Sequence, residues 1–98
     1  MPKRTDANQK EIVAELRKIG GVSVQDIHEV GHGCGDILVG WRGLNYIFEI
    51  KTPVGRMNKL EREWWLNWGG QYAVIRSAEE ALNIMELADG LRKHFQII

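Results

Sequence analysis

Gly35-Asp36-Ile37-Leu38-Val39-Gly40-Trp41-Arg42-Gly43-Leu44-Asn45-Tyr46-Ile47-Phe48-Glu49-Ile50-Lys51 decides the fold. Ile37, Val39 and Trp41 alternate with their neighbours, and a second apolar run follows Arg42-Gly43, so the stretch predicts a β-hairpin turning at that pair. In the second strand, residues 44–51, a period of two places Tyr46, Phe48 and Ile50 on one face and Ile47, Glu49 and Lys51 on the other. The first set is a core face. The second mixes apolar residues with two opposite charges.

Working outward, Gly31-His32-Gly33-Cys34-Gly35 reads as a loop, because three glycines in five residues favour unusual backbone angles. Val22, Val24 and Ile27 suggest a strand before it, reaching about His28. Ile12, Val13, Leu16 and Ile19 fall at helical spacing over residues 7–19, entered at Asp6 with Gln9 three positions on and left through Gly20-Gly21. Beyond the hairpin, Thr52-Pro53 stops the strand. Asn58 with Glu61 reads as a capping box for a helix to Trp68, on which Leu60, Trp64 and Trp68 align. Tyr72 to Ile75 forms a short strand, and Ser77 with Glu80 caps a last helix to about Arg92 whose apolar set includes Leu82, Met85 and Leu91. The order αβββαβα suits one α/β domain over residues 1–98, a mixed sheet covered by helices on both sides.

Composition narrows the function classes. The 98 residues carry 13 basic and 13 acidic side chains, so a whole-protein basic field is excluded and nucleic-acid binding must come from a local patch. No apolar run approaches the roughly 20 residues of a membrane span. One cysteine, Cys34, excludes an internal disulfide, and with a polar N-terminal segment the expectation is a reducing, cytoplasmic setting.

Asp36 and Glu49, thirteen positions apart, become cross-strand neighbours if the hairpin turns at Arg42-Gly43. Lys51 points the same way as Glu49. Two carboxylates and a lysine on a partly apolar face are costly to desolvate without a compensating ion, and Mg²⁺ is commonly held by one or two carboxylates plus phosphate oxygens. Asp36, Glu49 and the Ile50 carbonyl would hold the ion and activate water, while Lys51 would orient that water or stabilise the charged transition state. The same residues also fit a plain surface salt bridge between Glu49 and Lys51, with Asp36 capping a turn.

Gly35-Asp36 with Glu49-Ile50-Lys51 resembles the PD-(D/E)XK nuclease signature. The likeness extends to the stand-alone phage and prophage branch called VRR-NUC through Asp6-Ala7-Asn8-Gln9, Glu11-Ile12-Val13, His28-Glu29-Val30-Gly31, Asp36-Ile37-Leu38-Val39-Gly40, Asn45-Tyr46, Glu61, Trp64 and Ala73-Val74-Ile75-Arg76-Ser77. It covers residues 5–88. The resemblance implies a restriction-endonuclease-like fold and a Mg²⁺- or Mn²⁺-dependent DNA endonuclease, phage-encoded or from a bacterial host. It further implies a homodimer resolving four-way or other branched DNA junctions. Carried over by position, Asp36 and Glu49 become metal ligands, Lys51 the catalytic lysine and Glu11 an additional acid from the first helix, with Glu15 its rival. Two positions depart from the family pattern. Gly35 stands where proline is usual, a change expected to affect only loop stiffness, and Arg62 stands where glutamine is common. The competing reading is a non-catalytic DNA-binding or protein-interaction module that keeps this fold.

Between Gly40 and Arg62 five basic residues, Arg42, Lys51, Arg56, Lys59 and Arg62, face two acidic ones, a local surplus that marks the expected phosphate-facing edge. His32 is a further candidate for phosphate contact. Its grouping with His28 and Cys34 supplies too few ligands for a closed zinc site. Trp64 and Trp68 are expected to fill the core, and Trp65, off their stripe, to face a partner subunit.

Overall fold

A computed structural model describes residues 4–96, and the side chains of residues 8–94. The chain runs α1 (Arg4–Arg17), β1 (Ser23–Asp26), a 3₁₀ turn (His28–Val30), β2 (Ile37–Trp41), β3 (Leu44–Ile50), α2 (Lys59–Leu66), β4 (Tyr72–Ile75) and α3 (Ala78–Gln96). The strands form one mixed sheet in the order β1-β2-β3-β4, antiparallel twice and then parallel.

The hairpin turns at Arg42-Gly43. Both central residues have positive φ, 52° and 81°, as the tight two-residue turn that matches strand twist requires. Arg42 is held in that conformation from three sides: its guanidinium bonds Asp89 of α3 at 2.9 Å and lies over the Trp41 ring, and Arg92 donates to its carbonyl. Pairing then follows the turn, with Trp41 opposite Leu44, Val39 opposite Tyr46 and Ile37 opposite Phe48.

One sheet face carries the core. Ile37, Val39, Trp41, Tyr46, Phe48, Ile50 and Ile75 meet Ile12 and Leu16 of α1 and Ala78, Ala81 and Met85 of α3. Full burial of side chains such as Phe48 and Leu16 stabilises by roughly 1.5–3 kcal/mol each. Helix α2 lies over the opposite face, where Trp64 and Trp65 pack on the Tyr72 ring.

Several expectations need correction. Helix α1 starts at Arg4, so Asp6 lies inside the helix instead of capping it. Strand β1 stops at Asp26 because Asp26 Oδ1 accepts from the His28 N–H at 3.0 Å and starts the 3₁₀ turn. Helix α2 ends at Leu66, with Asn67 as its C-cap, and buries no residue, so Trp64 and Trp68 are not core. They stack on each other at 4.8 Å instead. Helix α3 continues through Gly90 to Gln96, and Leu91, counted with its core set, is 52% exposed.

Candidate active site

The pairing of Ile37 with Phe48 puts Asp36, one residue earlier, against Glu49, one residue later. Asp36 is fixed by its neighbours on β3: its N–H donates to the Phe48 carbonyl at 2.9 Å, and its Oδ2 accepts from the Ile50 N–H at 2.7 Å. Glu49 is 5% exposed and shares its face with Ile47. Lys51 extends the same alternation, and Asn8 of α1 donates to its carbonyl at 3.1 Å. The Ile50 side chain points into the core, leaving only its carbonyl for a ligand role. Asp36, Glu49 and Lys51 therefore converge as the hairpin register predicts.

A third carboxylate joins them, and it is Glu61, not Glu11. Glu61 lies in the first turn of α2, where its N–H bonds the Asn58 side chain and its own Oε1 accepts from the Asn58 N–H, both at 2.8 Å. That reciprocal cap aims the carboxylate back at β3. Lys51 Nζ lies 2.9 Å from Glu61 and 3.3 Å from Glu49, so one ammonium bridges two acids. Glu11 is exposed on α1, and the charges that most affect Asp36, Glu49 and Lys51 come from one another and from Glu61. Glu15 is likewise exposed.

The cluster is short of positive charge. Burial, a hydrogen bond with Glu61 and the charge of Asp36 push the Glu49 carboxyl from 4.5 up to about 8. Burial also raises Asp36, against the pull of the Ile50 N–H and Lys51. Burial acts upward on Glu61 too, but hydrogen bonds from Glu49, Lys51 and the Asn58 N–H outweigh it and hold this carboxyl below its usual range. Desolvation alone would lower Lys51. Its bond to Glu61 and the charges of both glutamates raise it, so the ammonium stays charged.

Three carboxyl groups beside one ammonium offer only oxygen atoms as ligands, a set that would suit a hard divalent cation able to displace the Glu49 proton. Among the described residues no three acidic, histidine or cysteine side chains form a coordination shell by themselves. Asp36 and Glu49 would be the two side chains left to hold such an ion.

Gly35 matters more than loop stiffness. Its φ is 109°, which proline, fixed near −65°, cannot adopt. A Cβ here would stand 2.6 Å from Ile47 Cγ2, so the glycine lets the loop lie against β3 and deliver Asp36. Gly33, at φ 82°, similarly brings the loop against the Leu60 and Glu61 backbone. Together they set α2 beside the hairpin.

The expected phosphate-facing residues divide into two groups. Arg56, Lys59 and Arg62 are exposed in the loop and first turn of α2 that flank Glu61. His32, exposed with φ 59°, borders an open groove of about 280 Å³ shared with Leu60, Glu63, Trp64, Asn67 and Trp68. Arg42 sits at the hairpin turn, roughly 23 Å along β3 from Glu49 at 3.3 Å per residue, and is occupied by Asp89. It does not flank the acids. His28 is committed to Asp26 at 2.7 Å, and burial first, then the charges of Glu49 and Asp36, keeps the Cys34 thiol protonated.

The sequence marked Glu61 as a helix cap and as part of the family likeness without giving it a place in the site, and gave Tyr72 no role beyond its strand. The signal for Glu61 was its place in a capping box ten residues past Lys51, which turns the helix start back toward the strand end. No family model, no curated protein and no solved structure matches this chain.

Proposed function

We propose that the chain is a Mg²⁺- or Mn²⁺-dependent endonuclease that hydrolyses DNA phosphodiester bonds. The supporting observation is the meeting of Asp36, Glu49 and Glu61 around Lys51 on one sheet face. The residues fit the PD-(D/E)XK pattern of the VRR-NUC type, with Glu61 in place of Glu11 as the extra acid. The intended fold is that family's restriction-endonuclease-like sheet.

In this proposal Asp36 and Glu49 hold the cation, which when bound supplies Lewis acidity and charge neutralisation at the phosphate. Asp36 is held ready by the Ile50 N–H, so little side-chain entropy is lost on ligand binding. Lys51, charged and anchored by Glu61, stands next to the reacting phosphate and stabilises negative charge as water oxygen attacks phosphorus and the P–O bond to the leaving sugar breaks. Arg56, Lys59 and Arg62 contact flanking phosphates. The substrate is branched DNA, cut by a homodimer whose two-fold axis presents two sites to two strands, with Trp65 at the subunit surface.

Cleavage of labelled four-way junction, flap, duplex and single-stranded DNA in Mg²⁺ and Mn²⁺ tests the reading. Asp36→Asn keeps an acceptor for the Ile50 N–H, so it should fold and fail to cut. Lys51→Ala should lose turnover and keep metal binding. A parent protein that cuts none of the substrates, or an Asp36→Asn protein that cuts at the parent rate, removes the proposal.

A further inference from the structure

The Tyr72 hydroxyl is buried, and no protein group among the described residues shares a hydrogen bond with it. Leaving such a donor unpaired is costly, so orphaned hydroxyls in folded proteins call for a reason. The register supplies its location. Tyr72 pairs with Ile47 and Val74 with Glu49, which puts Tyr72 on the same sheet face as Glu49, one step earlier along β4. Its ring reaches across β3 toward Gly35: a Cβ there would lie 3.5 Å from Tyr72 Cε2, in ordinary contact with the ring. Trp64 and Trp65 close the ring in from the α2 side at centroid distances of 5.5 and 6.0 Å.

The phenol is therefore walled by apolar groups and faces the acids. Burial first, then the charges of Glu49, Glu61 and Asp36, push its pKa well above the ordinary tyrosine range. At neutral pH it is an uncharged O–H donor. Among the groups of this site, Lys51 is already shared by two carboxylates, and the Ile50 N–H is already given to Asp36. Of these donors the Tyr72 hydroxyl is the one with no partner among the described residues.

We propose that Tyr72 is a further catalytic residue, its hydroxyl donating a hydrogen bond to a non-bridging oxygen of the phosphodiester bound at the acidic cluster. This rests on the nuclease reading above. A neutral donor suits the place, since it binds a phosphate oxygen without adding a charge that the buried cluster would have to solvate. Reaching the hydroxyl requires α2, which covers the Tyr72 ring with Trp64 and Trp65 and buries no residue, to move aside.

Tyr72→Phe removes the oxygen alone. Three measurements on the full chain test it: thermal unfolding without ligand, kcat and KM on labelled four-way junction DNA in Mn²⁺, and the rate with each single phosphorothioate diastereomer at the mapped cut position. A lost hydrogen bond to a charged oxygen predicts a rate about 10- to 100-fold lower. The melting temperature should stay level or rise, because an unpaired buried hydroxyl has been removed. One diastereomer should slow the parent and not slow Tyr72→Phe further, since sulfur is the weaker acceptor. Parent-like cleavage by Tyr72→Phe overturns the assignment and leaves the nuclease reading intact. A lower melting temperature together with slower cleavage and an unchanged phosphorothioate penalty makes the hydroxyl structural, which also overturns it. A parent that cleaves no phosphodiester removes both.

Discussion

Glu49→Gln should make this protein more stable at neutral pH while abolishing cleavage. Glu49 is almost wholly buried, and its carboxyl is raised from 4.5 to about 8 by burial and by two neighbouring acids. At pH 7 the folded protein therefore holds a proton that the unfolded chain has released. A group raised in this way contributes stability that is complete below about 4.5, declines as pH rises, and is gone above about 8. From 4.5 to pH 7 is about 2.5 units, and at 1.36 kcal/mol per unit the loss is about 3 kcal/mol. Glutamine is neutral throughout, can donate to Glu61 in place of the carboxyl proton, and leaves Lys51 its bond to Glu61. Urea unfolding followed by tryptophan fluorescence, in chelator from pH 4.5 to 8, should show Glu49→Gln gaining up to about 3 kcal/mol over the parent at neutral pH. The gap should close toward pH 4.5. Glu61 works in the opposite sense, its lowered pKa giving stability that is lost in acid, and the glutamine amide keeps a hydrogen bond to it in place of the one from Glu49. A variant less stable than the parent at pH 8, or a gap that widens in acid, would refute the claim that ionised Glu49 is what this pocket tolerates least.

Gly35→Ala should lower stability by about 1–3 kcal/mol, read by urea unfolding, because φ of 109° is unfavourable for alanine and Ile47 Cγ2 stands in the way of the new methyl; cleavage should fall with it, since Asp36 is the next residue. Arg62→Ala should reduce the slope of log affinity against log salt for junction DNA by about one, measured with catalysis blocked by Asp36→Asn. Arg42→Ala should leave that slope unchanged and lower the melting temperature, because its guanidinium serves Asp89 and the hairpin turn.

The hairpin and its three polar residues were legible because each depends on local rules. A two-residue turn sets register, register sets which residues face each other, and a period of two sets the side to which Asp36, Glu49 and Lys51 point. Helix α3 was legible at its start, where the Ser77 hydroxyl accepts from the Glu80 N–H, and not at its end, where Gly90 is carried inside the helix. The tryptophans in and just after α2 show the limit of periodicity. Leu60, Trp64 and Trp68 do form one stripe, but spacing alone does not say whether a surface exists to cover it, and here Trp68 is 46% exposed. Glu61 and Tyr72 were hidden for a different reason. Each reaches the site through contacts that span a loop or a parallel crossover, where no short-range pattern fixes the geometry.

The division of labour between the two sheet faces explains why those hidden residues matter. The face against α1 and α3 is filled by apolar side chains from every strand except β1, where Val24 is only partly covered, and it accounts for most of the burial. The opposite face has only α2, a helix of eight residues with none buried, so the packing of Trp64 and Trp65 on Tyr72 is a small part of what holds it. Polar ties add to it: the Asn58–Glu61 cap and the Glu61–Lys51 bond, beside a loop that Gly33 lets lie close against the Leu60 backbone. Both ties use groups of the acidic cluster. A ligand that draws Lys51 or Glu61 away must loosen α2, and one that bridges Glu49, Asp36 and Glu61 must fasten it. Docking of α2 and occupancy of the site are thus linked through the same carboxylates, and each ligand state should carry its own degree of protection at the α2 amides in hydrogen exchange.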